Sequence, residues 1–188
     1  MRIFLDTEFT ELTRRAALIS IGLAAENGDL FYAELNDYPA EDINPWVRDN
    51  VLTLLSGEKL AEATNMPVTA QYFCRGDRQA VAQALRQWLA RFGEKNAVTV
   101  WADVLAWDWL FFCDLFGGAF SIPEQVHYIP RDLSTLLWAQ GIDPDVQREN
   151  LGEVTSTHPQ LNLAKHHALY DALLEKSIFE NIMLTMKK

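Results

Sequence analysis

The chain has 188 residues, enough to bury one sizeable hydrophobic core and too few for two. Hydrophobic residues make up 49% and charged residues 22%, a globular composition that excludes a disordered, collagen-like or coiled-coil chain. Lys+Arg of 16 against Asp+Glu of 26 gives a formal charge of −10, which excludes a protein that coats DNA or a membrane surface through a net excess of cations, though not a local basic groove.

The chain opens on β-formers. Ile3 to Phe9, Ala16 to Ala25 and Asp29 to Leu35 read as three strands, and Asn27-Gly28 between the last two predicts a type I′ hairpin. Asp37 to Phe73 carries Pro39, Pro45 and Pro67 and reads as a connection with short helices, one of them from Trp46 to Leu55. Val81, Leu85, Trp88 and Leu89 recur at helical spacing after the N-cap candidate Asp77, and Gly93 supplies a stop. Ala97 to Trp101 reads as a strand, Trp107 to Phe116 as a helix ended by Gly117-Gly118, and Gln125 to Ile129 as another strand. Pro130 is expected to start a helix that runs through Gln140. A Gly/Pro/Asn-rich stretch, Gly141 to Asn162, precedes a last helix from about Lys165 to Met186. This order predicts one α/β domain over residues 1–188, with a mixed five-stranded sheet and helices on both faces. Cys74 and Cys113 are too few for a disulfide framework, there is no signal-peptide pattern, and no apolar run approaches the roughly 18 residues of a membrane span. A soluble cytoplasmic protein without membrane partners is expected.

Four acids fall where apolar residues belong. Asp6 and Glu8 share one face of the first strand, opposite Ile3, Leu5, Thr7 and Phe9. Asp108 stands at the head of a helical stripe formed with Phe111, Phe112 and Leu115, whereas Asp114 falls on the solvated side. Asp171 shares a stripe with Leu174, Ile178 and Ile182, and His166-His167 precede it. Carboxylates on apolar faces repel one another and lose solvation unless a cation lies between them. All-oxygen ligation without cysteine suits Mg2+ or Mn2+, and two such ions about 4 Å apart can clamp the attacking and leaving oxygens of a phosphodiester. A histidine can take the proton of an attacking water at neutral pH.

Phe4-Leu5-Asp6-Thr7-Glu8-Phe9, Ala106-Trp107-Asp108 and His166-His167-Ala168-Leu169-Tyr170-Asp171 resemble, in order and separation, the three exonuclease motifs of the DEDDh 3′→5′ exonucleases, which have a ribonuclease H-like fold. The Asp-Thr-Glu-Phe start, the strand Ile19 to Leu23 and the Asn-Gly hairpin are most similar to the small RNase T-like bacterial 3′→5′ exoribonucleases. The resemblance implies that Asp6, Glu8, Asp108 and Asp171 ligate two Mg2+ or Mn2+ ions and that a histidine is the general base. The family places that histidine five residues before the last aspartate, which selects His166. On a regular helix His167, at i, i+4 from Asp171, would share its face instead, so His166 converges only if it precedes the helix. Where relatives often carry Asn four residues before Asp108, this chain has Val104.

A polyanion must find local cations on so acidic a protein. Arg14, Arg15, Arg75, Arg78, Arg131 and Lys165 are the candidates, and a short footprint on an RNA 3′ end is expected. Thr7, Phe9, Trp107, His167 and Lys165 are expected substrate contacts, with Phe9 and then Trp107 as stacking platforms for terminal bases. Trp46, Trp88, Trp101, Trp109 and Trp138 are expected in the core. The resemblance also implies a homodimer. The alternatives are a DNA exonuclease with the same site, a phospho-acceptor domain of flavodoxin-like fold and a catalytically silent binding module. The hairpin after the first strand and Pro130-Arg131 after the last strand argue against the second.

Overall fold

The structure, a computed structural model, describes residues 1–13, 15–63 and 67–186. Seven strands form one sheet in the order β4-β5-β3-β2-β1-β6-β7. They are β1 (Arg2–Phe9), β2 (Leu18–Ala25), β3 (Leu30–Leu35), β4 (Ala61–Glu62), β5 (Gln71–Gly76), β6 (Thr99–Ala102) and β7 (Arg131–Asp132). Only β2 runs against the others: it is antiparallel to β1 and β3, and every other pairing is parallel. The helices are α1 (Pro45–Asn50), α2 (Arg78–Ala90), α3 (Ala106–Leu115), α4 (Leu133–Ala139) and α5 (Ala168–Thr185). None among the described residues is long and apolar enough to cross a membrane.

Alternation along the strands divides the core. Ile3 and Leu5 of β1 pack with Leu85 and Trp88 of α2 and Phe111 and Phe112 of α3, whereas Phe4 packs with Leu133 and Leu137 of α4 and Ile178 and Phe179 of α5. Helices therefore cover both faces, as expected. Each fully buried large apolar side chain contributes about 1.5–3 kcal/mol, and Trp88, Phe4, Phe31 and Phe112 are all fully buried.

The sheet has seven strands rather than five. β5, which starts at the end of the stretch read as a connection and runs past it, pairs in parallel with β3 over six residues, and β4 pairs with β5. Tyr72, Cys74 and Gly76 alternate with more exposed neighbours, a period-2 pattern cut short in the sequence reading by the helix start at Asp77. The expected strand from Gln125 to Ile129 reduces to a single bridge, Val98 to Val126. Pro130 has no N–H to donate, and pairing resumes only at Arg131 opposite Trp101. The following helix starts at Leu133, because the Asp132 carboxylate caps it by accepting the Thr135 N–H at 2.6 Å. The hairpin is not type I′ either: Gly28 (φ 94°) is left-handed and Asn27 is not, so Gly28 provides the left-handed residue of a three-residue loop, its N–H closing onto the Ala25 carbonyl at 3.0 Å.

Candidate active site

Strand β1 sends Asp6 and Glu8 to the α5 side, in phase with Phe4, and Thr7 to the α3 side. Thr7 is buried, and both its N–H (2.9 Å) and its hydroxyl (2.7 Å) donate to one oxygen of Asp108. Thr7 thus fixes the acid of α3 to β1, and at this burial its side chain is turned to Asp108 rather than to the open surface.

The two histidines diverge. His166 is left-handed (φ 70°) and precedes α5, so it escapes the helical phase that would turn it away from Asp171. Its backbone N–H donates to the Asp171 carboxylate at 2.9 Å. One ligand atom from each of Glu8, His166 and Asp171 lies within 4.8 Å of the others. His167 is instead the N-cap of α5: its ring Nδ1 accepts the Leu169 N–H at 3.3 Å and the ring stacks on Tyr32 at 4.3 Å. At 2% exposed it packs rather than meeting substrate, and burial drops its pKa to about 4. The first turn of α5 lies directly on β2 at Gly22, where any Cβ would come within 2.4 Å of the Ala168 backbone. A glycine at that point lets α5 bring Asp171 to β1.

Burial raises all four acids, and neighbouring carboxylates raise them further. Burial, and then the charges of Asp108, Asp171, Glu8 and Glu175, push Asp6 well above the ordinary carboxylate range. Glu8 is raised to about 9 by burial and then by Asp171 and Asp108. Asp108 is raised to about 7 by burial, against the two Thr7 hydrogen bonds, which favour its anion. Asp171 is raised to about 7 by burial, opposed by the His166 N–H. His166 is lowered from 6.5, mainly by burial and then by Lys165, so it is neutral at neutral pH. Asp6 Oδ2 is buried with no hydrogen-bond partner among the described residues.

A cleft of about 200 Å3 opens on these groups, lined by Asp6, Asp171 and His166 together with Asp103, Arg148 and Lys165. Of the expected cations only Lys165 lines it, paired with Glu149 at 2.9 Å. Arg78 pairs with Asp114 and Arg131 bonds the Ile129 carbonyl, while Arg14 lies outside the described residues. Arg148, which the irregular stretch before α5 gave no periodicity to single out, donates to both oxygens of Asp103 at 2.5 and 3.0 Å and to the Val146 carbonyl. Glu175 was also missed, although it lies on the Asp171 stripe, one turn further on.

A second hollow, about 350 Å3, opens on Glu8 and is walled by Phe9, Leu12, Trp46 and Val47. Phe9 lies on this wall and stacks on Phe111 at 4.7 Å, with Trp107 behind it at 6.1 Å. Trp46 is 51% exposed rather than buried, and its edge meets the His166 ring at 4.8 Å. Trp138 is likewise exposed, whereas Trp88 is in the core and Trp101 and Trp109 are partly buried against it.

The site thus sets an acid pair on the first strand beside an acid on α3 and a His–Asp pair at the head of α5. The profile of the family described as the Rv2179c-like 3′-5′ exoribonuclease domain matches residues 1–183. The chain belongs to this family. It is 34% identical over 136 residues to the protein named 3′-5′ exoribonuclease Rv2179c from Mycobacterium tuberculosis strain ATCC 25618 / H37Rv. It matches to the same extent the 3′-5′ exoribonuclease MT2234.1 from strain CDC 1551 / Oshkosh. Each match spans 72% of this chain and 73% of the relative. As a member of the Rv2179c-like family, the chain has its three sequence motifs inside the matched span, with Asp171 twelve residues before its end.

Proposed function

We propose that this protein is a divalent-cation-dependent 3′→5′ exoribonuclease of the DEDDh type on a ribonuclease H-like fold. The observation that carries this reading is the meeting of Glu8, His166 and Asp171 ligand atoms within 4.8 Å beside the unpartnered Asp6 carboxylate. Four carboxylates raised by burial, and further by neighbouring acids, sit where a cation would favour their charged form, and an all-oxygen donor set fits Mg2+ or Mn2+. Asp6, Glu8, Asp108 and Asp171 would hold two such ions, which when bound supply a Lewis-acid clamp for the attacking and leaving oxygens.

This chain's residues account for the rest. Neutral His166 accepts the proton of the attacking water at an imidazole nitrogen as oxygen bonds to phosphorus, and the ribose 3′ oxygen leaves with the shortened RNA. The left-handed turn and the Trp46 edge hold the imidazole in place. Thr7 keeps Asp108 aimed at the site through two donors. The hollow bounded by Phe9, Leu12 and Trp46 suits the terminal base, since aromatic faces stack bases of any sequence. Lys165, which lines the cleft and pairs with Glu149, is the expected cation for a phosphate. The family and the names of its relatives favour RNA over DNA.

Matched 5′-labelled RNA and DNA oligomers, digested with Mn2+, test the reading. Stepwise shortening of RNA from its 3′ end, abolished by chelator and slowed by a 3′-phosphate, is expected. Cleavage of circular RNA, or full activity in chelator, would overturn it, and faster digestion of DNA would reassign the substrate.

A further inference from the structure

We propose that Glu175 is a fifth carboxylate of the metal centre, facing the cation that Asp6 and Asp171 would hold. The inference rests on the divalent-cation reading above and adds to it a residue outside the three sequence motifs.

Glu175 follows Asp171 by one turn of α5, so the two carboxylates lie on one helix face and line the same cleft as Asp6. It is 4% exposed. Its Oε1 accepts the Asp103 backbone N–H at 2.9 Å, while its Oε2 is buried with no partner among the described residues, as is Asp6 Oδ2 in the same cleft. The cations that line the cleft are engaged elsewhere: Arg148 holds Asp103, Ser134 and the Val146 carbonyl, and Lys165 holds Glu149. If Glu175 served only to accept the Asp103 N–H, a glutamine would do so without placing another buried charge beside Asp6 and Asp171. A buried carboxylate with a free oxygen, aimed into a cleft already lined by two acids, carries its negative charge at low cost only when a cation enters. The same side chain ties the turn between β6 and α3, so the group that faces the cation also positions the segment leading to Asp108.

Mn2+ binding by the whole protein, measured by calorimetry and by electron paramagnetic resonance, distinguishes these roles in wild type, E175Q, E175A and D6N. E175Q keeps the shape and the acceptor for Asp103. We expect it to melt, metal-free, at or above the wild-type temperature and to bind Mn2+ about 10- to 100-fold more weakly, with an altered Mn2+ spectrum. Affinity, stoichiometry and spectrum in E175Q that match wild type, with weakening confined to E175A, would reduce Glu175 to a hydrogen-bond acceptor and overturn the proposal. If D6N loses Mn2+ while E175Q does not, only the role of Glu175 fails. If wild type itself takes up no Mn2+, the cation reading fails with it.

Discussion

The cleft that opens on Asp6 is walled by Asp103, Asp171, Glu175, Arg148 and Lys165, whereas the hollow that opens on Glu8 is walled by Phe9, Leu12, Trp46 and Val47. The two meet at neighbouring carboxylates of one strand, and His166 lines the first while touching Trp46 of the second. The polar side gathers charge that is costly in the absence of a cation. The apolar side leaves Leu12 and Trp46 69% and 51% exposed, a cost in water that a stacked base would relieve. A side chain on the polar side should therefore govern the chemical step, and one on the apolar side the hold on substrate.

The largest expected effect is on the polar side. His166→Ala should lower kcat by about 10²–10⁴-fold while Mn2+ binding survives, and His167→Ala should lower the melting temperature with kcat far less affected. Loss of turnover in the second variant alone would reverse the assignment of the base. On the apolar side, Trp46→Ala should raise KM by about 5- to 150-fold, the value of roughly 1–3 kcal/mol of stacking. A fall in kcat at unchanged KM would move Trp46 from substrate to the support of His166.

A pH series separates the two sides without a variant. Glu8, Asp108 and Asp171 titrate at about 9, 7 and 7 in the fold, above their ordinary 4.5, 3.8 and 3.8. The folded state therefore holds protons that the unfolded chain releases, and the metal-free protein loses stability as pH rises from about 4 to about 9. Thermal melts in chelator should fall through that window, and Mn2+ should restore more stability at about pH 8 than at about pH 5. A flat profile would mean the acids do not crowd.

A smaller effect is expected in the turn between β6 and α3. Val104 is left-handed (φ 50°) and β-branched, a combination that costs of order 1–3 kcal/mol. Val104→Asn should raise the melting temperature modestly. Unchanged or lower stability would show that the turn leading to α3 stores no strain.

The acids and the first three strands were legible because each obeys a local rule. Asp6 and Glu8 alternate with apolar residues, and Asp108 and Asp171 interrupt helical stripes. The place of His166 beside Asp171 was legible only through the family pattern, since helical phase favoured His167 and the left-handed turn at His166 has no glycine to announce it. β5 hid behind three prolines and a helix cap. Arg148 sits in a stretch without periodicity, and its role depends on Asp103, 45 residues away. Trp46 was read as core along with tryptophans on apolar periodic faces, yet it is 51% exposed and lines the hollow, with the His166 ring against it. Local patterns thus revealed which groups are chemically unusual, and long-range packing decided which of them meet.

The most direct measurement is anomalous scattering from crystals soaked in Mn2+. Two peaks about 4 Å apart are expected among Asp6, Glu8, Asp108 and Asp171, with His166 beside them. Crystals that take up Mn2+ only at other surface acids, leaving these four without a peak, would contradict the two-ion reading.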